Sequence, residues 1–540
     1  MRPFLSVATS VSLVLSLVNP AMAAAPPSAT TPIQHVVVIF GENISFDHYF
    51  GSYPHAANPP GQPRFTALPS TPAVNGLSGS LLTNNPNLNP ANGTGAANPF
   101  RLNRSQALTA DMGHSYTPEQ QSFDNFLMDL FPSKTGSAGG APNFPLVAVP
   151  PVVGTKGLVM GYFDGNTVTA LWNYAQSFAM SDNSYNSQFG PSTPGALNVI
   201  AGQTNGISAV LNGPSSAAIA DGQGGMTLIN DADPIGDICS GSTKFQVTFG
   251  SNNKNIGDLL NAQGLTWGWF NGGFDLTVAN PNGSMGCNRS TVSPITGLTE
   301  GDYVPHHQPF QYYASTINPT HARPGSIAAI GTTDAANHQY DTHDFFDALS
   351  AGVLPNVSYL KAPSYQDAHP GNSNPLDEQA FVVNVVNALE QSPFWNSTAV
   401  IVAYDDSDGW YDHQSTPVTN GSFSTSDALT GTNACGVKGT TPQLPGPNSG
   451  AVPVDGRCGP GVRTPLMVIS PWAQANFVDH TLTTQSSVVR FIEDNWGLGR
   501  IGGGSFDASS GALTNMFNFS NPSGPAPNTN KPVLSPITGN

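Results

Sequence analysis

The chain has 540 residues, of which 39% are apolar and only 9% charged, with 57 Gly and 48 Pro. That composition describes a globular, loop-rich protein and excludes a disordered one, because aromatic and β-branched residues are plentiful. A formal charge of −17 excludes an electrostatic grip on nucleic acid or an anionic membrane, and it would repel an anionic substrate unless a cation sits locally.

In chain order, Arg2 precedes an apolar run from Phe4 to Val18, and Ala21-Met22-Ala23 supplies a small-x-small cleavage pattern. This reads as a signal peptide over 1–23 rather than an anchor, since the run falls short of the roughly 20 apolar residues that span a bilayer. The mature protein is therefore expected to be exported, periplasmic or secreted, with no transmembrane segment. A spacer over 24–33 leads into His35–Phe40, an apolar run of strand length of the kind buried on both faces in parallel sheets.

Residues 54–100, rich in Asn, Pro and Gly, read as a surface excursion, and 100–188 as a helical and loop-rich cap. Further strands are expected at 399–404 and 465–470, with a weaker one at 356–360. Helices are expected at 378–389 and 486–496, and a second excursion at 415–461. Alternating strands and helices imply an α/β fold with a mainly parallel sheet. A catalytic domain over 34–520 with long insertions and an extended tail over 521–540 complete the organisation. No pattern in the chain encodes an oligomeric state. Cys239, Cys287, Cys435 and Cys458 allow three disulfide connectivities, of which sequence proximity favours 239–287 and 435–458. A zinc site has no C-x-x-C spacing to support it.

The chemistry-bearing residues follow strands. Run 35–40 ends into Gly41-Glu42-Asn43, and run 399–404 into Asp405-Asp406. Ligands of open α/β sheets sit beyond the carboxyl ends of strands. Either pair alone reads as a turn or a helix cap; both together, each behind an apolar strand, point to a cation site with hard oxygen donors. In Phe189-Gly-Pro-Ser192-Thr-Pro-Gly195, Gly and Pro on both sides fix a turn into a helix. That turn would aim the Ser192 hydroxyl and backbone N–H groups at one point, where the helix N-terminus favours phosphate. The plainer alternative makes Ser192 a helix N-cap.

Several blocks resemble the bacterial phosphoesterase family of phospholipases C and acid phosphatases. They are His35–Gly51, Asp111-Met-Gly-His114-Ser-Tyr, Phe189–Gly195, Pro305-His306-His307-Gln-Pro-Phe310, Asp367-Ala-His369-Pro and Tyr404–His413, with a weaker match at Thr464–Trp472. They occur in family order. The resemblance implies an alkaline-phosphatase-like three-layer sandwich with a helical and loop cap. It also implies one divalent metal (Ca, Zn, Mn or Fe) held by Glu42, Asn43, Ser192, Asp405 and Asp406. Ser192 would be the nucleophile of a phosphoseryl intermediate, and His114, His306, His307 and His369 would line the phosphate pocket. His307 or His369 would protonate the leaving oxygen. Many relatives carry Asp-Glu where this chain has Asp405-Asp406, and Asp412-His413 would orient ligands from behind.

A sulfatase is excluded because Ala196 stands where its nucleophile motif needs arginine. The substrate is expected to be a small phosphate ester or a phospholipid headgroup. Absence of extra C-terminal β domains, with the Met180–Ser184 lead-in, favours an acid-phosphatase-like phosphomonoesterase. Phospholipase C is the alternative, for which Trp267, Trp269, Phe270, Tyr312 and Tyr313 would offer a choline cage, although aromatic runs are more often core or pocket wall. A binding protein that lost catalysis is the third reading.

Overall fold

A computed structural model describes residues 28–140 and 151–540. The signal peptide expected over 1–23 lies outside the described residues. In chain order the main sheet holds β1 (His35–Gly41), β2 (Ala179–Ser181), β3 (Trp267–Asn271), β4 (Gln339–Tyr340), β5 (Val357–Lys361), β6 (Thr398–Tyr404), β7 (Leu466–Ile469) and β8 (Phe477–Asp479). Their spatial order is β4-β3-β5-β1-β6-β7-β2-β8. Every neighbouring pair is parallel except the two that β7 makes, with β6 and with β2. One reversed strand in an otherwise parallel sheet is the mainly parallel α/β arrangement the alternating pattern implies.

Strand β1 from Val36 to Phe40 and β6 from Ala399 to Ala403 are uninterruptedly apolar because both faces of the sheet are covered. Five helices matter here: α1 (Phe46–Phe50), α2 (Tyr116–Phe123), α3 (Ser192–Ala201), α4 (Pro375–Gln391) and α5 (Ser486–Trp496). Tyr359, paired across β1 with Val38 and through it with Ile401, reaches the Val199 carbonyl of α3. Tyr404, three residues after Ile401, points to the opposite face and bonds Glu378 of α4. Period-two alternation therefore puts α3 and α4 on different faces, which makes three layers.

The structure extends or moves several expected elements. Helix α4 starts three residues before the apolar pattern, because Asn374 caps the Leu376 and Asp377 N–H groups and Pro375 takes the first helical position. The segment 100–188 is not all cap, since it contributes β2 to the sheet. Three residues are too few to show a period. Both favoured disulfides are closed, Cys239–Cys287 and Cys435–Cys458. The final twenty residues run extended over the surface. Asn387 takes the Leu534 carbonyl, Arg104 that of Ile537 and Asn173 that of Gly539.

One packing constraint bears on the site. A Cβ on Gly195 would lie 2.1 Å from the Asp405 carbonyl oxygen, so α3 rests directly on the backbone that follows β6. Gly195→Ala should lower unfolding free energy in urea by about 1–3 kcal/mol, since rigid backbone must shift to admit the methyl.

Candidate active site

Three adjacent strands, β5, β1 and β6, end side by side and deliver Lys361, Glu42 and Asp405 to one edge of the sheet. Asn43, at φ 63, turns the chain after β1, and its N–H donates to Asp405 Oδ1 at 2.9 Å. Asp406 N–H donates to the same oxygen at 2.7 Å. The turns after β1 and β6 are thus bonded to each other through Asp405.

Ser192 is the first residue of α3, and Pro191 rather than Ser192 stands at the cap position. Gly190, at φ 117, makes the preceding reversal. Ser192 Oγ lies 3.1 Å from Asp406 Oδ2, 3.4 Å from Glu42 Oε2 and 3.5 Å from Asn43 Oδ1. Each of those side chains has its other polar atom occupied. Glu42 Oε1 meets Lys361 Nζ at 2.6 Å and His307 Nδ1 at 2.7 Å. Asn43 Nδ2 donates to Asp408 Oδ1 at 3.0 Å, and Asp406 Oδ1 accepts Asp408 N–H at 2.6 Å. The second atoms aim the first ones.

The hydroxyl proton of Ser192 can satisfy only one of three facing oxygens, so the remainder oppose one another. Oxygens sharing one small divalent ion at about 2.0–2.4 Å lie roughly 3 Å apart around it. The spacing of Ser192, Asp406, Glu42 and Asn43 therefore fits a cation. The charges agree. Burial pushes Asp406 well above its usual range, and the neighbouring Asp405 adds to the shift. Burial also raises Asp405, with Glu42 adding to it. The Asp405 carboxylate accepts the Asn43 and Asp406 backbone N–H groups, and among the described residues no hydrogen bond joins it to Ser192.

Burial opposes the charge on Glu42, yet His307 and Lys361 outweigh it and hold the carboxyl well below its usual range. His307 itself is pushed by burial down to about 3. A neutral imidazole donating from Nδ1 satisfies both directions, and Lys361 is then the cation that keeps Glu42 ionised. Lys361 is held charged against burial by Asp367 at 3.2 Å and by Glu42.

The other histidines divide. His114 Nδ1 bonds the Met112 carbonyl at 2.9 Å and lies 3.2 Å from Asp408 Oδ1. Burial lowers its basicity, but Asp406 and Asp408 raise it well above the usual value. His369 donates from Nδ1 to the carbonyl of its neighbour Pro370 at 2.7 Å, and among the described residues its Nε2 makes no hydrogen bond. Its ring stands 6.1 Å from that of His114. Glu42 and Asp408 raise it against burial. The preceding Ala368 sits at φ 84, a conformation alanine resists, so the backbone is strained where it presents His369. His306 packs edge-on against His307 but faces Asp233, at 3.6 Å. Asp231, whose carboxyl is held below its usual range against burial by His306, takes the N–H and hydroxyl of Thr193 at 2.9 Å each. His306 thereby stands behind the Ser192 turn.

Lys361, Asp367 and Asp408 were not singled out from the sequence. Lys361 carried a usable signal, as the residue closing a strand beside Glu42. Of the two readings of the aromatic run, the structure favours core over a choline cage: Trp267, Trp269, Phe270, Tyr312 and Tyr313 are all at most 2% exposed. Trp269, for example, stacks on Tyr359 within the sheet layer.

A family model described as the Phosphoesterase family matches residues 33–499. A non-hemolytic phospholipase C of Pseudomonas aeruginosa is 24% identical over 91% of this chain, and the chain spans 58% of its length. A Burkholderia pseudomallei non-hemolytic phospholipase C is also 24% identical, with 60% of its length spanned. Phospholipase C A of Mycobacterium tuberculosis is 24% identical over 95% of this chain and 82% of its own. A Vibrio parahaemolyticus protein of the alkaline phosphatase superfamily superposes with a TM-score of 0.27 at 12% identity, covering 80% of each chain, too weakly to carry weight.

Lys361→Met should cost about 3–5 kcal/mol at neutral pH by leaving Glu42 and Asp367 buried without a fixed cation. The native Glu42, with a depressed pKa, contributes stability that is lost as pH falls through that value. The orphaned carboxyls of the variant are raised and can take protons instead, so the deficit should shrink toward pH 4. Urea unfolding of both proteins across pH 4–8 checks this.

Proposed function

The chain belongs to the phosphoesterase family, and from that premise we propose that it is a metal-dependent phosphoric ester hydrolase of the phospholipase C kind, with Ser192 as nucleophile. The observation that carries the reading is the convergence of Glu42, Asn43 and Asp406 oxygens on Ser192 Oγ at 3.1–3.5 Å. Relatives named phospholipases C, aligned over more than nine-tenths of this chain, favour a phosphodiester over a monoester.

Glu42, Asn43, Asp405, Asp406 and Ser192 would hold one divalent ion. Bound there, it would act as a Lewis acid favouring the Ser192 alkoxide and drawing charge from phosphate oxygens. Ser192 Oγ attacks phosphorus, and the bond to the leaving oxygen breaks to give a phosphoseryl enzyme that water then hydrolyses. His114 and His369, both shifted toward the protonated form, supply positive charge to the phosphate. His369, whose Nε2 makes no hydrogen bond among the described residues, is better suited than the neutral His307 to protonate the leaving oxygen. His307 instead keeps Glu42 oriented, and His306 acts through Asp231 and Thr193 on the serine turn.

Two closed disulfides suit an oxidising compartment and support export. Among the described residues no helix is long and apolar enough to cross a membrane. The phosphomonoesterase reading stays as the second one, because the aromatic residues expected to hold choline lie in the core.

Hydrolysis of a chromogenic phosphocholine diester beside its monoester, for wild type and Ser192→Ala, tests the proposal. Diester cleavage that falls by more than about 10³-fold in the variant supports it. Preferential monoester cleavage would move the assignment to the second reading. An active Ser192→Ala would remove the nucleophile. Exhaustive chelation should abolish turnover, and added divalent metal should restore it.

A further inference from the structure

A buried carboxylate with no cation beside it is costly, so its partners show what it is kept for. Glu119 in α2 is 1% exposed, and among the described residues no lysine or arginine pairs with it. Its Oε2 accepts the Gly190 N–H at 2.9 Å, and its Oε1 accepts the Ser407 hydroxyl at 2.8 Å. Gly190 makes the turn two residues before Ser192. Ser407 follows Asp406 directly, and its Oγ also accepts the Gly409 N–H at 3.0 Å. One side chain therefore bridges the turn that aims the serine and the loop that carries Asp406.

Helix α2 is itself held fast. Tyr116 donates its hydroxyl to Asp427 Oδ1 at 2.7 Å and accepts the Cys458 N–H at 3.0 Å. Gln120 Oε1 accepts the Ala428 N–H at 2.9 Å. The bridge is thus anchored to the disulfide-closed excursion, so Glu119 meets both loops from a fixed point. No bond from Glu119 reaches Ser192 or the oxygens around it, which sets it apart from the groups that would touch phosphate.

We propose that Glu119 is a positioning residue: it sets the separation between the Ser192 turn and the Asp406 loop, and so holds the serine hydroxyl at the oxygen cluster. The inference rests on the reading of Ser192 as nucleophile and Asp406 as metal ligand.

The test uses the full chain as wild type, Glu119→Ala, Glu119→Gln, Ser407→Ala and Ser192→Ala. For each, kcat and KM are measured on the phosphocholine diester, Mn²⁺ affinity by calorimetry on chelator-stripped protein, and thermal midpoint by scanning. Glu119→Ala should lose about 10–100-fold in kcat and a similar factor in Mn²⁺ affinity, with KM unchanged. Glu119→Gln keeps an acceptor for Gly190 and a polar contact to Ser407, and should recover most of both losses. Wild-type kcat and Mn²⁺ affinity in Glu119→Ala would overturn the inference. So would a Gln variant as impaired as the Ala variant with an equally lowered midpoint, which marks a structural role alone. If Glu119→Ala does not fold, Ser407→Ala carries the test: reduced Mn²⁺ affinity supports the bridge and an unchanged value overturns it. Activity in Ser192→Ala would defeat the nucleophile reading instead, and the Mn²⁺ affinities then decide the role of Glu119 by themselves.

Discussion

Negative charge buried at the ends of three neighbouring strands is the condition to which the rest of the molecule answers. Glu42, Asp405 and Asp406 lie together out of water, with Asp367 and Asp408 close behind. Lys361 is the one ammonium group set among them, bonded to Glu42 and Asp367. One fixed positive charge holds Glu42 ionised, but it leaves Asp405 and Asp406 pushed upward. A parallel sheet makes this crowding unavoidable, because its strands all deliver their following residues to the same edge. The imbalance is one that a divalent cation would relieve, in a chain whose formal charge is −17.

A second buried charge cluster keeps the turns after β1 and β6 in register. Asp47 in α1 lies just beyond Glu42-Asn43, and Asp412 lies just beyond Asp405-Asp406. Asp412 Oδ2 accepts the Asp47 N–H at 3.0 Å, and Asp47 Oδ2 accepts the His413 N–H at 2.8 Å. Arg463, wholly buried, bonds both carboxylates and also donates to the carbonyls of Asn75 and Asp182. The cluster joins both turns to the first excursion and to the strand that leads toward the serine loop. Asp412 and His413 thus bear on backbone position, tying the two turns together.

What could be read from the sequence followed from periodicity and from strand ends. Helix α5 occupies 486–496, the stretch its apolar pattern marked, and the runs at 35–40 and 399–404 form two central strands. Glu42, Asn43, Asp405 and Asp406 were visible because each pair follows an uninterrupted apolar run. Lys361 was missed by one residue: the weaker run was read to Leu360, and a terminal lysine looks like the exposed end of a strand. Glu119 was invisible for a different reason. Its two partners are 71 and 288 residues away, and nothing local distinguishes a bridging glutamate from one on a solvated helix face. The aromatic residues were ambiguous in sequence between a cage and core, and burial of β3 and of the turn at Tyr312-Tyr313 decides for core.

The long loops are part of the same electrostatic solution. A cluster of carboxylates can hold its geometry only if the backbone around it cannot relax, and much of that backbone is irregular. The second excursion is closed by Cys435–Cys458 and anchored where buried Arg457 donates to the Gly202 and Gly504 carbonyls. Gly202 ends α3, whose other end carries Ser192. The helix is therefore fixed at its C-terminus by Arg457, along its length by the close approach of Gly195 to Asp405, and at its N-terminus by Asp231 through Thr193. With three attachments on ten residues, α3 leaves Ser192 little freedom to shift. The position of Ser192 is therefore set as much by the irregular backbone that ties α3 down as by the sheet on which the helix packs.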